Sequence, residues 1–266
     1  MTAISLNRIG ALCQRHFYVL RRSPMRLLEM AYWPTMQMVI WGFLSQFLAT
    51  NSSYIAGAFG VLIAGVLLWD VLFRGQLGFS LSFIEELWSR NLANLYCSPL
   101  SPLEHILSLV AMSFVRALIG VLPAMLLAIP FYDFSIFGLG IPLLAFFFNL
   151  LIMGCGLGLI VAAMILRYGL AAENMAWFLV FFMAPFSCVY YPLTALPDWA
   201  HAFALALPST HVFEGMRAVL FHGIFPWDHF LAAVGLNAIL CVGGMAVYLF
   251  SFGQARKLGL LLQVGE

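Results

Sequence analysis

Two short patterns in the chain have the residue types for hydrolysis. Glu85-Glu86-Leu-Trp-Ser-Arg90 sets two carboxylates ahead of a guanidinium, and Phe225-Pro-Trp-Asp-His229 ends on an imidazole. A carboxylate and an imidazole brought to one point can activate a water. His201, His211, His222 and His229 fall close together in sequence, but no two have the four-residue helical spacing with a third ligand that a metal site needs. No Gly-x-Ser-x serine shares an apolar span with a partnering histidine. The sole lysine, Lys257, is followed by Leu258; a phosphate-binding loop needs Lys followed by Ser or Thr, so this chain hydrolyses no nucleotide by that route. Cys13, Cys97, Cys155, Cys188 and Cys241 are scattered, without a CxxC pair, and read as free thiols.

The elements that must position these groups are hydrophobic to a degree that excludes a soluble enzyme. Of 266 residues, 64% are apolar and 9% charged, against about 45–50% and about 25% in soluble domains. A net charge of +1 leaves no basic field for nucleic acid. The expected class is an all-α polytopic membrane protein. Charge-free stretches place six spans near 32–49, 55–73, 106–132, 134–166, 174–192 and 229–255, with a polar tip at Thr50–Ser53. With the N-terminus inside, ten of the twelve Lys and Arg fall on the cytoplasmic side, so both ends are expected there. That topology puts Glu85 and Glu86 inside and His229 outside. Pro226 would also disturb a helix carrying His229. The two hydrolytic patterns therefore resemble motifs of CAAX-type membrane endopeptidases, but lack that family's HxxxN and lie on opposite faces. An i,i+4 pair, Glu86–Arg90, on a solvated cytoplasmic helix is the simpler expectation.

Within the spans, Asp70 and Arg74 are one turn apart and are expected to form an ion pair. Arg116 needs a partner. Only Gln37, Asn149 and Asn237 supply amides at mid-span, with no carboxylate, which argues against an ion-coupled carrier. The ladders Ala56–Gly60–Ala64 and Gly154–Gly158–Ala162 read as close helix packing. Phe146–Phe148, Phe178, Phe181, Phe182, Phe186, Tyr190 and Tyr191 read as lipid-facing aromatics. Three stretches are not spans. In 4–22, Arg8, Arg15 and Arg22 share one face and Ile9, Cys13, Phe17 and Leu20 the other, an interfacial helix. The segment 74–105 is expected in the cytoplasm. In 193–228, Pro197, Asp198 and Pro208 open two short apolar helices, near 198–206 and 210–221, each too short to span.

This arrangement resembles the permease subunit of type-2 ATP-binding-cassette (ABC-2) exporters across nearly the whole chain. The carriers are the acidic helix Glu85–Tyr96, the Ser98-Pro-Leu-Ser-Pro102 turn after it, and the segment Tyr190–Trp199 through Leu207–Arg217. Where family members have a glycine before the Tyr-Pro stretch, this chain has Ser187–Cys188. The resemblance implies one transmembrane domain over 1–266: a cytoplasmic interface helix in 1–28, a six-span bundle over 29–255, and a cytoplasmic tail, 256–266. It implies a coupling helix near 82–97, with Glu85, Glu86, Trp88, Arg90, Asn91 and Leu95 toward a partner ATPase. It also implies an outer gate in 193–228 formed by re-entrant half-helices and involving Pro192, Pro197, Trp199, Pro208, Glu214 and Arg217. It implies a homodimer bearing two nucleotide-binding subunits that hold ATP and Mg, with no cofactor on this chain. The setting implied is the bacterial cytoplasmic (inner) membrane, and the substrate an exported amphiphile: a lipid, a drug or a lipid-linked glycan.

Overall fold

The computed structural model describes residues 4–51 and 59–259, and every regular element among them is helical. In chain order these are α1 (Leu6–Arg21), α2 (Pro24–Asn51), α3 (Phe59–Trp88), α4 (Leu92–Cys97), α5 (Pro102–Tyr132), α6 (Ile141–Tyr168), α7 (Met175–Met183), α8 (Asp198–Leu205), α9 (Pro208–His222) and α10 (Trp227–Lys257). Local chemistry sets their ends. Ser101 and Glu104 form a capping box with Pro102 in the first turn of α5. Pro208 opens α9, and Gly223, at φ +69°, closes it. Gly140, at φ +63°, separates a short 3-10 turn, Ile136–Leu139, from α6.

Among the described residues, four stretches are long and apolar enough to cross a membrane: Gly60–Trp88, Pro102–Tyr132, Ile141–Ala172 and Trp227–Lys257. The expected stretch 32–49 lies within α2, and 174–192 begins with α7 and its continuation to Phe186. Two expected boundaries are corrected. The second span does not end near 73; α3 runs on to Trp88. Gln76, Ser80 and Ser82, beyond the expected boundary, are fully buried inside the bundle. The stretch near 134–166 is likewise divided by Gly140. Residues 52–58, including Ala56 and much of the polar tip, and the tail from 260 lie outside the described residues.

Helix α3 is the axis of the bundle. Its most apolar stretch is 89% buried, whereas that of α10 is 17% buried. Helices α2, α5 and α6 pack along α3, α10 packs along α6 and α9, and α1 lies on α5. Small residues set the closest approach. A Cβ on Gly154 would lie 2.7 Å from the Leu72 carbonyl oxygen and 2.8 Å from the Gln76 nitrogen; one on Gly158 would meet Phe79 at 2.8 Å. With Ala162 fully buried, the ladder is an α6–α3 packing stripe. The α6–α10 contact adds amide bonds: Asn237 donates to the Asn149 backbone oxygen at 3.0 Å and its side-chain oxygen at 3.1 Å. Two of the three mid-span amides thus join helices. Of the expected lipid-facing aromatics, Phe148, Phe178, Phe181 and Phe182 are exposed, whereas Phe146 and Phe147 are core residues.

Because the atoms facing Gly154 are backbone, neighbouring side chains cannot yield. Gly154→Ala should lower the stability of the purified chain by about 1–3 kcal/mol. Gly243→Ala, where a Cβ meets nothing within 4 Å, should leave the melting temperature in detergent unchanged.

Candidate functional site

The two carboxylates at the end of α3 point to different neighbours because adjacent helical positions are about 100° apart. Glu85 Oε1 accepts from Arg26 Nη1 of α2 at 2.7 Å and Oε2 from Arg116 Nη2 of α5 at 2.9 Å. Glu86 Oε2 lies 2.8 Å from Arg15 Nη1 of α1 and accepts from Asn91 Nδ2 at 2.9 Å. A third carboxylate, Glu104, lies 2.8 Å from Arg8 Nη2 and accepts from the Ser5 amide at 2.8 Å. Three acids on α3 and α5 thus hold α1 and the start of α2 against the bundle. The partner that Arg116 requires is Glu85. The expected Glu86–Arg90 pair is absent among the described residues, since Glu86 is turned inward and 2% exposed.

The single helix expected over Glu85–Tyr96 is two helices. Arg90 takes a left-handed conformation, φ +54°, between α3 and α4, which costs a non-glycine residue about 1 kcal/mol. Tyr96 anchors α4: its hydroxyl is 2.8 Å from His105 Nδ1 of α5 and 3.3 Å from the Tyr248 hydroxyl of α10. Of the expected coupling residues, Trp88 and Arg90 are exposed, Asn91 and Leu95 half-buried, and Glu85 and Glu86 committed to the clamp.

Between α2, α3, α5 and α7 lies a cavity of about 580 Å³. Arg26, Glu29, Trp33, Phe73, Arg74, Leu77, Glu85, Arg116, Glu173 and Trp177 are among its lining. The expected Asp70–Arg74 ion pair does not form within 4 Å among the described residues. Arg74 instead runs its stem against α5, where Gly120 leaves room for Cγ and Cδ, and lines the cavity. Its Nε is buried without a hydrogen-bond partner, and both Asp70 oxygens are likewise unpartnered. Because α3 extends to Trp88, Asp70 lies well inside a span, correcting the expectation of no mid-span carboxylate.

Toward the other end of α3, α9 staples an irregular loop. Arg217 Nη1 meets Glu214 at 3.0 Å, and its Nη2 donates to the carbonyls of Cys188, of Val189 at 3.2 Å and of Tyr191 at 2.8 Å. Glu214 also accepts from the Leu193 amide at 2.7 Å. Cys188, at φ +53°, adopts the left-handed backbone that a glycine would take freely. Pro192 precedes a 3-10 turn, Pro197 caps α8, Trp199 is exposed and Pro208 is buried at the start of α9. His211 and His229 face each other, Nδ1 to Nδ1, at 3.3 Å. Trp69 of α3 touches Phe213 of α9, with ring centroids 6.5 Å apart. The rise from Trp69 to Glu85 is about 24 Å, so the hydrolytic pairing of Glu85 and Glu86 with His229 has no support. No group of three His, Cys, Asp or Glu residues suited to a metal occurs among the described residues.

Long apolar helices, buried ion pairs and irregular backbone held only where protein covers it define a multi-pass membrane protein of the helical type. The ABC-2 type transporter family model matches residues 7–221, from α1 through α9, and the chain belongs to that family. It is therefore the membrane component of an ABC transporter. No curated protein matches the chain.

Two measurements probe the clamp. Glu85→Gln strands Arg116, which is 4% exposed, and should cost about 3 kcal/mol. Glu85→Leu combined with Arg116→Met should recover much of that loss in a double-mutant cycle; additive losses would show that the pair is not coupled. His16 of α1 is buried beside Glu86, and burial, with Arg116 and Arg15 nearby, pushes it down to about 4. Released α1 would bind a proton between pH 6.5 and 4 that docked α1 does not, so docking weakens as pH falls through that window. Hydrogen exchange corrected for intrinsic rates should show less protection of residues 6–21 at pH 5 than at pH 7, a difference that His16→Gln removes.

Proposed function

We propose that this chain is the permease half of an ATP-driven exporter for an amphiphilic substrate, two copies enclosing the pathway and a separate nucleotide-binding subunit sitting beneath each. On this reading six helical stretches cross a bacterial cytoplasmic membrane with both termini inside. Helices α8 and α9 form the outer gate as re-entrant half-helices, and ATP and Mg stay on the partner subunits.

The observation that carries the reading is the clamp. Carboxylates of α3 and α5 lock α1, α2 and α5 to the end of α3, while Tyr96 ties α4 to α5 and α10. A push on α4 is then transmitted to five long elements without being absorbed by loose side chains. Trp88, Arg90 and the turn after α4 remain free to meet a partner. Glu85 and Glu86 act here as positioning residues, while contact with the ATPase falls to Trp88, Arg90 and Leu95.

Purification in mild detergent tests this. A Walker-motif subunit should co-purify at about one per chain, and Arg90→Asp should sharply lower its rate while leaving the melting temperature within a few degrees. A chain that purifies without an ATPase, or an ATPase indifferent to Arg90→Asp and Leu95→Ala together, overturns the coupling assignment.

A further inference from the structure

The cavity between α2, α3, α5 and α7 has an ordered distribution of charge. At its floor Arg74 is 9% exposed, makes neither hydrogen bond nor ion pair among the described residues, and has its buried Nε without a partner. Arg116, also deep, has an unpartnered Nε as well, but its charge is paired through Nη2 with Glu85, which Arg26 shares. The floor therefore keeps one cation without a direct partner, on which the charges of Asp70 and Glu29 act only from beyond ion-pair distance. Nearer solvent, Glu29 is exposed and Glu173 half-exposed, and neither carboxylate has a cationic partner within 4 Å among the described residues. Beside them stand the indoles of Trp33, 53% exposed, and Trp177, 42% exposed. The wall between is apolar: Phe73 packs on Trp177 and Phe181 with ring centroids 5.6 and 5.7 Å apart, next to Leu77 and Leu81.

From this arrangement we infer that the cavity binds a zwitterionic amphiphile, its phosphate or carboxylate on Arg74 and its ammonium between Glu29, Glu173 and the indoles of Trp33 and Trp177. An isolated guanidinium in a half-dry site gains most from an anion it can grip through two N–H groups. A headgroup carrying only negative charge would then meet two carboxylates at the rim. A headgroup with a cationic tip satisfies those carboxylates and gains cation–π attraction from the indoles. The apolar wall suits an acyl chain rather than a free zwitterion, and about 580 Å³ is within the usual size of a ligand pocket. As a choice of substrate class the inference rests on the permease reading; as a binding site it stands without it.

The test uses the full chain in detergent and quenching of tryptophan fluorescence by lysolipids with brominated chains. Three headgroups are compared: phosphoethanolamine, phosphoglycerol and trimethylammonium. The phosphoethanolamine form should bind about tenfold more tightly than either singly charged form. Arg74→Gln should weaken both phosphate-bearing ligands by about tenfold. Should Arg74→Gln fail to fold, Glu29→Gln with Glu173→Gln, both at solvent-accessible positions, carries the test: it should shift the preference to phosphoglycerol. Equal affinity for the three headgroups, unchanged preference in the double variant, or chain-free glycerophosphoethanolamine binding as well as the lysolipid overturns the inference. No ATPase is needed for this measurement. Headgroup-blind binding in a preparation that still couples to an ATPase sinks the inference alone, and selective binding in a chain with no ATPase partner sinks the permease reading alone.

Discussion

A charge removed from water is costly unless it meets its opposite, and the bundle is organised around that cost at the end of α3. Glu85 is shared by two guanidiniums from two other helices, one of them buried. Glu86 faces a third element from the next position along the same turn. Neither interaction adds much net stability beyond a well-packed apolar alternative, because desolvation takes back most of the Coulomb energy. What the pairs supply is registry. Each has few acceptable geometries, so α1, α2 and α5 can sit against α3 in only one way.

The same logic separates the helices by role. Helix α3 carries more buried polar residues than any other described helix and is covered on nearly every side, while α10 shows most of its apolar surface outward. Glycines on α6 let it touch α3 backbone to backbone, and there close packing replaces the hydrophobic effect, which lipid cannot supply, while amide bonds do the same between α6 and α10. At the opposite end one guanidinium, Arg217, organises a loop by binding three carbonyls. Irregular backbone survives there because a side chain, not water, satisfies it.

Much of this was legible in the chain itself. The helical class follows from apolar composition, and α8 and α9 from their prolines and caps. The partners of Glu85 and Glu86 could not be read, because Arg26 and Arg116 stand 59 and 31 residues from Glu85 and no local rule reaches so far. The length of α3 is hidden for a related reason: Arg74 ends the charge-free pattern in sequence, yet the residues that follow it, Gln76, Ser80 and Ser82 among them, are buried in space. Spacing alone pairs Arg74 with Asp70, yet the room above Gly120 draws it elsewhere. The substitution of Ser187–Cys188 for a glycine gave no sign that Cys188 would keep a glycine's backbone.

The burial of α3 also bears on how the chain is made. Asp70 and Arg74 within one apolar helix each carry an insertion cost of about 2.5–3.5 kcal/mol when that helix meets lipid alone. Helix α3 leaves the ribosome before α5 and α6, the two helices that cover most of it. During synthesis it has α2 beside it and little else. Until its later neighbours arrive, α3 is a poor resident of free bilayer and is best kept in a protein-lined, partly hydrated place. Assembly of this membrane domain is thus governed by waiting: its axis is made early and becomes stable only when the helices made after it close around it.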